Sequence, residues 1–272
     1  CSRCVEACPV GIDIPWINTV VRDRVNGESD ISFDFLVDGL WPDEEDNTSP
    51  SLQKRFFGNF STIATLASAT APVSNWLARR RVSRVVMEKT LGIDARRNLP
   101  TFRRETLVNW FENREQTVET KWRAPARRAV LYPDLYTNHV QLERGKAAVR
   151  VLEALGVDVV VPPIASSGRA PLSQGMIDTA RNHAQRVAAD LDPHIADGQD
   201  VVVIEPSDQA MFEREYERLL DDETHDRLAE NSYEIIEYVF GLLENGADAD
   251  VLQDGTGKEV AYHSHCQQRT LG

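Results

Sequence analysis

Four cysteines are the residues best suited to chemistry in this chain of 272 residues, and three of them open it. Cys1-Ser2-Arg3-Cys4-Val5-Glu6-Ala7-Cys8-Pro9 has the spacing C-x2-C-x3-C-P. The same spacing ends the run C-x2-C-x2-C-x3-C-P, whose thiolates bind iron–sulfur clusters and whose last cysteine serves the other cluster of a pair. Two thiolates two residues apart reach adjacent irons of one cubane, and the proline turns the chain away from the metal. Zinc is the structural alternative, because C-x2-C also opens zinc sites. No second C-x2-C pair follows to complete one. The expectation is therefore 4Fe-4S clusters held in part by Cys1, Cys4 and Cys8, with one more cysteine three positions before Cys1.

The fourth cysteine lies in His263-Ser264-His265-Cys266-Gln267. Imidazole and thiolate both bind transition metals, so Cys266 is a candidate metal ligand. If these residues end a strand, side chains alternate, and at most one histidine shares the face of Cys266. Asp208 is either an oxygen ligand or a plain loop acid. His139, His183, His194 and His225 fall in polar stretches and read as solvated. No G-x-G-x-x-G, Walker loop or G-x-S-x-G is present, so nucleotide-binding and serine-hydrolase readings lack motif support.

The elements that must position these residues emerge from charge and periodicity. The total charge of −13 argues against a nucleic-acid binder that uses its whole surface. Residues 1–50 carry −8, residues 51–130 carry +10 and residues 131–272 carry −15. A basic middle between acidic ends predicts separate units and a basic face that meets something. A helix is expected near Ile14–Val25, with Asp13 as cap and Pro15 in the first turn. Residues 41–50, acidic and flanked by prolines, read as an exposed loop. From Phe56 to Ala78 no residue is charged, yet Asn59, Ser61, Thr62 and Thr65 make the stretch too polar for a membrane span. It predicts packed helices separated near Pro72, with an interfacial membrane contact through Arg79, Arg80, Arg81 and Arg84 as the alternative. Leu107–Phe111 closes this helical block, and 115–128 reads as a charged linker.

After Arg128 the pattern changes to strand and helix in alternation. Strands are expected at Ala129–Tyr132, Val157–Val161, Val201–Ile204 and Glu259–Tyr262. Helices are expected at Gln141–Leu155, Met176–Leu191, Met211–Leu220 and Ser232–Leu243. This order predicts a parallel sheet, with functional groups in the loops that follow the strands. Those loops are Pro133–Asn138, Pro162–Arg169, Glu205–Asp208 and His263–Cys266. The fold class is thus α plus α/β. It comprises a partial iron–sulfur domain at 1–50, a basic helical connector at 51–128 and an α/β domain at 129–272.

These motifs taken together resemble a known family. The cysteine run with Gly11-Ile12-Asp13, then Phe56-Phe57-Gly58-Asn59-Phe60, Ala71-Pro72-Val73-Ser74-Asn75-Trp76-Leu77 and Glu88-Lys89-Thr90-Leu91-Gly92-Ile93-Asp94, are similar to the C-terminal half of large FAD-linked oxidases. These are D-lactate or glycolate dehydrogenases fused to ferredoxin-type and cysteine-rich (CCG-type) domains. The later blocks agree: Gly145–Gly156, Ser167-Gly168-Arg169, Glu205-Pro206-Ser207 and His263–Gln267. Related cysteine-rich modules occur in the C subunits of glycerol-3-phosphate dehydrogenases and in heterodisulfide reductases. The resemblance is collinear over essentially the whole chain. It implies a helical ferredoxin-type segment, then a parallel-sheet cysteine-rich half-repeat and the start of a second. It also implies an electron-transfer role, with FAD in a part of the protein not present here and a flavin domain or subunit and a quinone or other acceptor as partners. Two departures stand out. Ser166-Ser167-Gly168 replaces the family's Cys-Cys-Gly, and Asp208 replaces the cysteine after Glu-Pro-Ser. Serine hydroxyls stay protonated near neutrality and ligate iron–sulfur clusters poorly. The half-repeat is then either a scaffold or a site that uses Cys266 with further cysteines.

The chain starts at Cys1 and no charged n-region followed by an apolar h-region opens it. The expectation is a segment of a longer cytoplasmic protein, in candidate peripheral contact with the inner face of the membrane. Only five of the thirty basic residues are Lys, and with forty-three acids this composition suggests a halophile.

Overall fold

The computed structural model describes residues 8–26, 50–114, 127–252 and 259–268, together with Val5 and Gly257. Cys1, Cys4 and most of the acidic 41–50 loop lie outside the described residues. The chain divides into two compact units. One comprises residues 1–104 with 166–185, the other residues 105–165 with 186–272. The α plus α/β architecture expected from the sequence is the one observed.

In the first unit, helix α1 (Ile14–Asn26) begins where Asp13 Oδ1 accepts from the Trp16 amide at 2.9 Å. Pro15 sits in the first turn, where its missing N–H costs nothing. The far end of α1 is held by polar contacts to a turn 150 residues away. Asp23 Oδ1 accepts from the Ile177 amide at 2.8 Å. Asn26 Nδ2 donates to the Gln174 and Gly175 carbonyls at 2.8 and 2.9 Å. The approach is so close that a Cβ on Gly175 would stand 2.4 Å from the Arg22 side chain and 2.7 Å from the Asp23 nitrogen, and its φ of +70° already favours glycine.

Four more helices follow: α2 (Leu52–Gly58), α3 (Phe60–Ala69), α4 (Val73–Ala78) and α5 (Arg81–Leu91). The expected break at Pro72 separates α3 from α4, and a second break at Arg79-Arg80 separates α4 from α5. Asn75 ties α4 to the segment behind it. Its side chain donates to the Phe102 carbonyl at 2.8 Å and accepts from the Phe102 amide at 2.9 Å. Arg84 donates to the Ala95 carbonyl at 3.0 Å and also to that of Arg97. None of these helices is long and apolar enough to cross a membrane, nor is any other among the described residues.

The second unit is built on four parallel strands in the order β2-β1-β3-β4: β1 (Arg127–Tyr132), β2 (Val157–Val160), β3 (Asp200–Val203) and β4 (Ser232–Glu234). The register pairs Ala129 with Val159 on one side and with Asp200 on the other. Both central strands are sealed: Ala129, Val130 and Leu131 and Val201, Val202 and Val203 expose nothing. Uninterrupted apolar strands of this kind belong to parallel sheets covered on both faces. Helix α6 (Leu107–Asn113) contributes Leu107 and Val108 to this core, although its sequence reads as the end of the basic block. The next two helices of the unit are α7 (Leu135–His139) and α8 (Leu142–Ala154). Gly145 of α8 makes the fit with α6 possible, since a Cβ there would meet Leu107 Cδ2 at 2.5 Å and Thr137 Cγ2 at 2.7 Å.

Helix α9 (Arg169–Ser173) precedes α10 (Ile177–Ala196), which starts one residue after the expected position and runs past Pro193. Three expectations need correction. The helix expected at Met211–Leu220 is α11 (Pro206–Glu213), started by Pro206 in its first turn and capped by Glu205, followed by a 3-10 turn at Glu215–Arg218. Helix α12 (Asp222–Glu230) follows, capped by Asp221. The helix expected from Ser232 is strand β4 and then α13 (Ile235–Glu244), because Glu234 caps the Ile236 and Glu237 amides. Glu259–Tyr262 is not a strand; it pairs with no strand and leaves Val260 and Tyr262 exposed.

Candidate metal-binding site and the carboxyl edge of the sheet

Cys8 is the one cysteine of the opening run among the described residues. It is half-buried at the mouth of a tight turn in which the Gly11 amide donates to the Cys8 carbonyl at 3.1 Å. With φ at +67°, Gly11 lets the chain curl back, and the Ile12 amide donates to Cys8 Sγ at 3.4 Å. Backbone N–H groups of Val10 and then Ile12 hold the thiol below its ordinary pKa, against a small opposing effect of burial, with Gly11 adding to the lowering. A sulfur surrounded by amide donors and biased to thiolate is the form that ligates iron, and such hydrogen bonds also tune a cluster's potential. Cys8 therefore fits a cluster ligand. Asp13, five residues on, starts α1, so the cradle is anchored to a helix whose other end is bonded to the 174–177 turn.

Cys266 is exposed, in a turn that follows irregular backbone. The alternation argument for its flanking histidines fails there, since no strand is present. His265 Nδ1 accepts from the Gln267 amide at 3.2 Å, and its own amide donates to Gln268 Oε1 at 2.9 Å. Among the described residues no group of three or more His, Cys, Asp or Glu side chains is arranged to hold a metal ion.

The chain leaves β1 for β2 on one side and returns to β3 on the other, so the carboxyl ends of β1 and β3 form the switch point where open parallel sheets bind ligands. Acids and phenols occupy that edge. Asp134, only 1% exposed, caps α7 by accepting from the Tyr136 and Thr137 amides at 3.0 and 2.9 Å. Its other oxygen, Oδ2, accepts no hydrogen bond. Burial pushes this carboxyl above the usual range, hydrogen bonding from Thr137 opposes the shift, and the Glu205 charge adds to it. Asp208 is buried in the first turn of α11, and its charge adds to the effect of burial in raising the fully buried Tyr216 phenol. Tyr132, Phe212 and Tyr216 stack in sequence with centroids 5.1 and 5.3 Å apart. Among the described residues, this edge of the second unit contains no thiolate.

In the first unit, Ser166 and Ser167 serve the local turn. Ser167 Oγ accepts from the Arg169 amide at 3.3 Å, and the Ser166 carbonyl meets His183 Nδ1 at 3.0 Å. Gly168, at φ +79°, lies against the Ala180 carbonyl, where a Cβ would approach to 2.9 Å. Two of the histidines expected to be solvated, His225 and His139, are not. His225 is buried between Asp226 and the Glu213 carbonyl, and burial lowers the pKa of His139. Sequence reasoning missed Asp134, although Pro133-Asp134 followed by Thr137 is a recognisable cap signal.

No protein-family model matches the chain, and no solved structure does. Curated relatives do, among them the C subunit of anaerobic glycerol-3-phosphate dehydrogenase from Escherichia coli (strain K12) and that from Escherichia coli O157:H7. Each is 24% identical over 140 residues, which is 51% of this chain and 34% of the relative. The match thus spans about a third of the relatives' length. At this identity it marks a distant likeness to a dehydrogenase subunit.

Proposed function

We propose that this chain is the iron–sulfur electron-transfer part of an FAD-linked dehydrogenase acting on a 2-hydroxyacid such as D-lactate or glycolate. The observation that carries the reading is the amide cradle around Cys8 in a C-x2-C-x3-C-P run. The distant likeness to a dehydrogenase subunit supports the oxidoreductase class. In this reading Cys1 and Cys4 serve one cluster and Cys8 the other, residues 1–50 carry the ligands, 51–128 connect, and 129–272 form the α/β part. When bound, a 4Fe-4S cluster takes up and releases single electrons. The chain's own residues favour the thiolate form of Cys8, fix its direction through Gly11 and Ile12, and anchor the turn through α1. The partners are a flavin domain or subunit and a quinone or other acceptor, on the cytoplasmic side. A second reading, the corresponding subunit of an anaerobic glycerol-3-phosphate dehydrogenase, is favoured by the names of the curated relatives.

The test is anaerobic purification followed by iron and sulfide analysis and electron paramagnetic resonance after dithionite reduction. Stoichiometric iron and sulfide, with a signal altered in Cys8→Ser, is the expected result. Colourless, iron-free protein would mean a scaffold instead. Electron flow from D-lactate or from glycerol 3-phosphate, once a flavin subunit is added, separates the two substrate readings.

A further inference from the structure

Helix α13 is apolar nearly all the way round. Tyr238 and Leu242 enter the core of the second unit, and Ile235, Val239 and Leu243 pack against it. The opposite side is uncovered: Ile236 is 65% exposed and Phe240 63%. Helices that are apolar on every side belong inside a structure, so this face calls for another surface. At about 3.6 residues per turn, Ile236, Phe240, Glu244 and Glu237 fall within an arc of about 100°, so apolar and acidic side chains share one stripe. Residues 232–252 hold five acids and no Lys or Arg. No ion pair involves Glu237, Glu244, Asp248 or Asp250 among the described residues.

The first unit presents the opposite combination. Helices α4 and α5 bury none of their residues. Val73, Trp76 and Leu77 of α4 and Val82, Val85 and Val86 of α5 are exposed. The spacing i, i+3, i+4 puts each set on one helix face, and Lys89, at i+7 from Val82, adds a base to the second. The Arg80 guanidinium lies 3.9 Å from the centre of the Trp76 ring and adds one to the first. Residues 73–104 hold nine basic side chains against two acids, of which Asp94 is paired with Arg96. No ion pair involves Arg79, Arg80, Arg81 or Lys89 among the described residues.

We infer that the α13 face of one copy of this chain docks on the α4–α5 face of a second copy. Charge complementarity selects that occupant. One face brings Ile236 and Phe240 with acids, the other brings valines and Trp76 with bases, and each lacks what the other has. Pairing like with like is disfavoured, since α13 on α13 sets Glu237 and Glu244 against themselves and α5 on α5 does the same with its bases. Burial of the two stripes supplies the driving force, with Phe240 and Trp76 as aromatic anchors, and the charges fix register and speed encounter. The contact is heterologous: each copy has one face of each kind, so association proceeds until a ring closes or the ends stay open. The inference stands on these two surfaces and does not depend on the clusters.

Sedimentation equilibrium of the full chain tests it. A weight-average mass that climbs above 30.6 kDa with concentration is expected. Glu237→Lys/Glu244→Lys and Arg80→Glu/Lys89→Glu should each lose roughly a hundredfold in association constant, because like charges then face each other. An equimolar mixture of the two variants should recover a one-to-one complex and grow no further, since each keeps one intact face. Recovery requires both variants to be folded, and unchanged melting curves check this separately. Phe240→Ser, at an exposed position, should lose roughly tenfold or more through its reduced apolar area, and it carries the test if a charge reversal lowers the melting temperature. A chain that stays monomeric at every concentration overturns the proposal, as does association that survives both reversals. Loss in only one of the two variants means that its face pairs with its own kind, and overturns it as well. A mixture of folded variants that stays monomeric does the same.

Discussion

Val82, Val85 and Val86 of α5 face solvent, whereas Val201, Val202 and Val203 of β3 have no exposed surface at all. The contrast also holds helix against helix. In α8 the residues at i, i+3 and i+7, Leu142, Gly145 and Val149, are buried, while in α5 the comparable stripe looks outward. Both helices are amphipathic, and periodicity is equally strong evidence of a stripe in each. What differs is whether the chain supplies a cover. The second unit seals its apolar residues between sheet and helices and adds largely buried pairs such as Arg114–Glu153. The first unit is held to a large extent by specific polar bonds, among them those of Asp23, Asn26 and Asn75, and leaves apolar and cationic side chains unoccupied.

Four substitutions sharpen or break that contrast. Leu107→Ala in the sealed core should cost about 2–5 kcal/mol in urea unfolding. A loss under about 1 kcal/mol would mean that α6 does not pack there. Gly145→Ala forces a methyl against Leu107 and Thr137 and should cost about 1–3 kcal/mol. Made in the Leu107→Ala background it should cost less, and this coupling in a double-mutant cycle tests the close approach directly.

Asp134→Asn is a pH experiment. The folded-state pKa of Asp134 is raised by burial, so its contribution to stability is fully present below the unfolded value of about 3.9 and is lost as pH rises through the folded value. Asparagine keeps the acceptor for the Tyr136 and Thr137 amides and carries no charge. Melting temperatures of the variant should therefore gain on the wild type as pH rises from the acid range to neutrality. A difference flat with pH would mean that the carboxyl is not desolvated. Val82→Ser, on the uncovered face, should change stability by no more than about 0.5 kcal/mol. A large loss there would show that the face is buried after all.

Much of the fold was legible. The predominantly apolar runs at 129–132, 157–161 and 201–204 contain strand residues, because near-continuous apolar stretches suit a sheet covered on both sides. Strand β4 was not legible: Ser232-Tyr233-Glu234 is three residues long and runs straight into Ile235-Ile236, so its local signal is that of a helix start. The start of α11 was hidden by Pro206, which breaks a helix in mid-course yet suits its first turn. Of the candidate site, Cys8 was legible from spacing. Its amide cradle was not, because it depends on the φ of Gly11 and on where the Ile12 N–H points.

Residue types and their spacing determined that this chain has cysteines in a ligand-like spacing at one end, a basic helical stretch in the middle and a parallel α/β unit after it. These are local properties, set by side-chain chemistry and by the periods of helix and strand. Only the tertiary structure decided that α6 belongs to the sheet's core, that Ser167 and Asp208 are enclosed, and that the stripes on α4 and α5 are uncovered. Burial depends on what other parts of the chain are brought alongside, and no window of sequence contains that information.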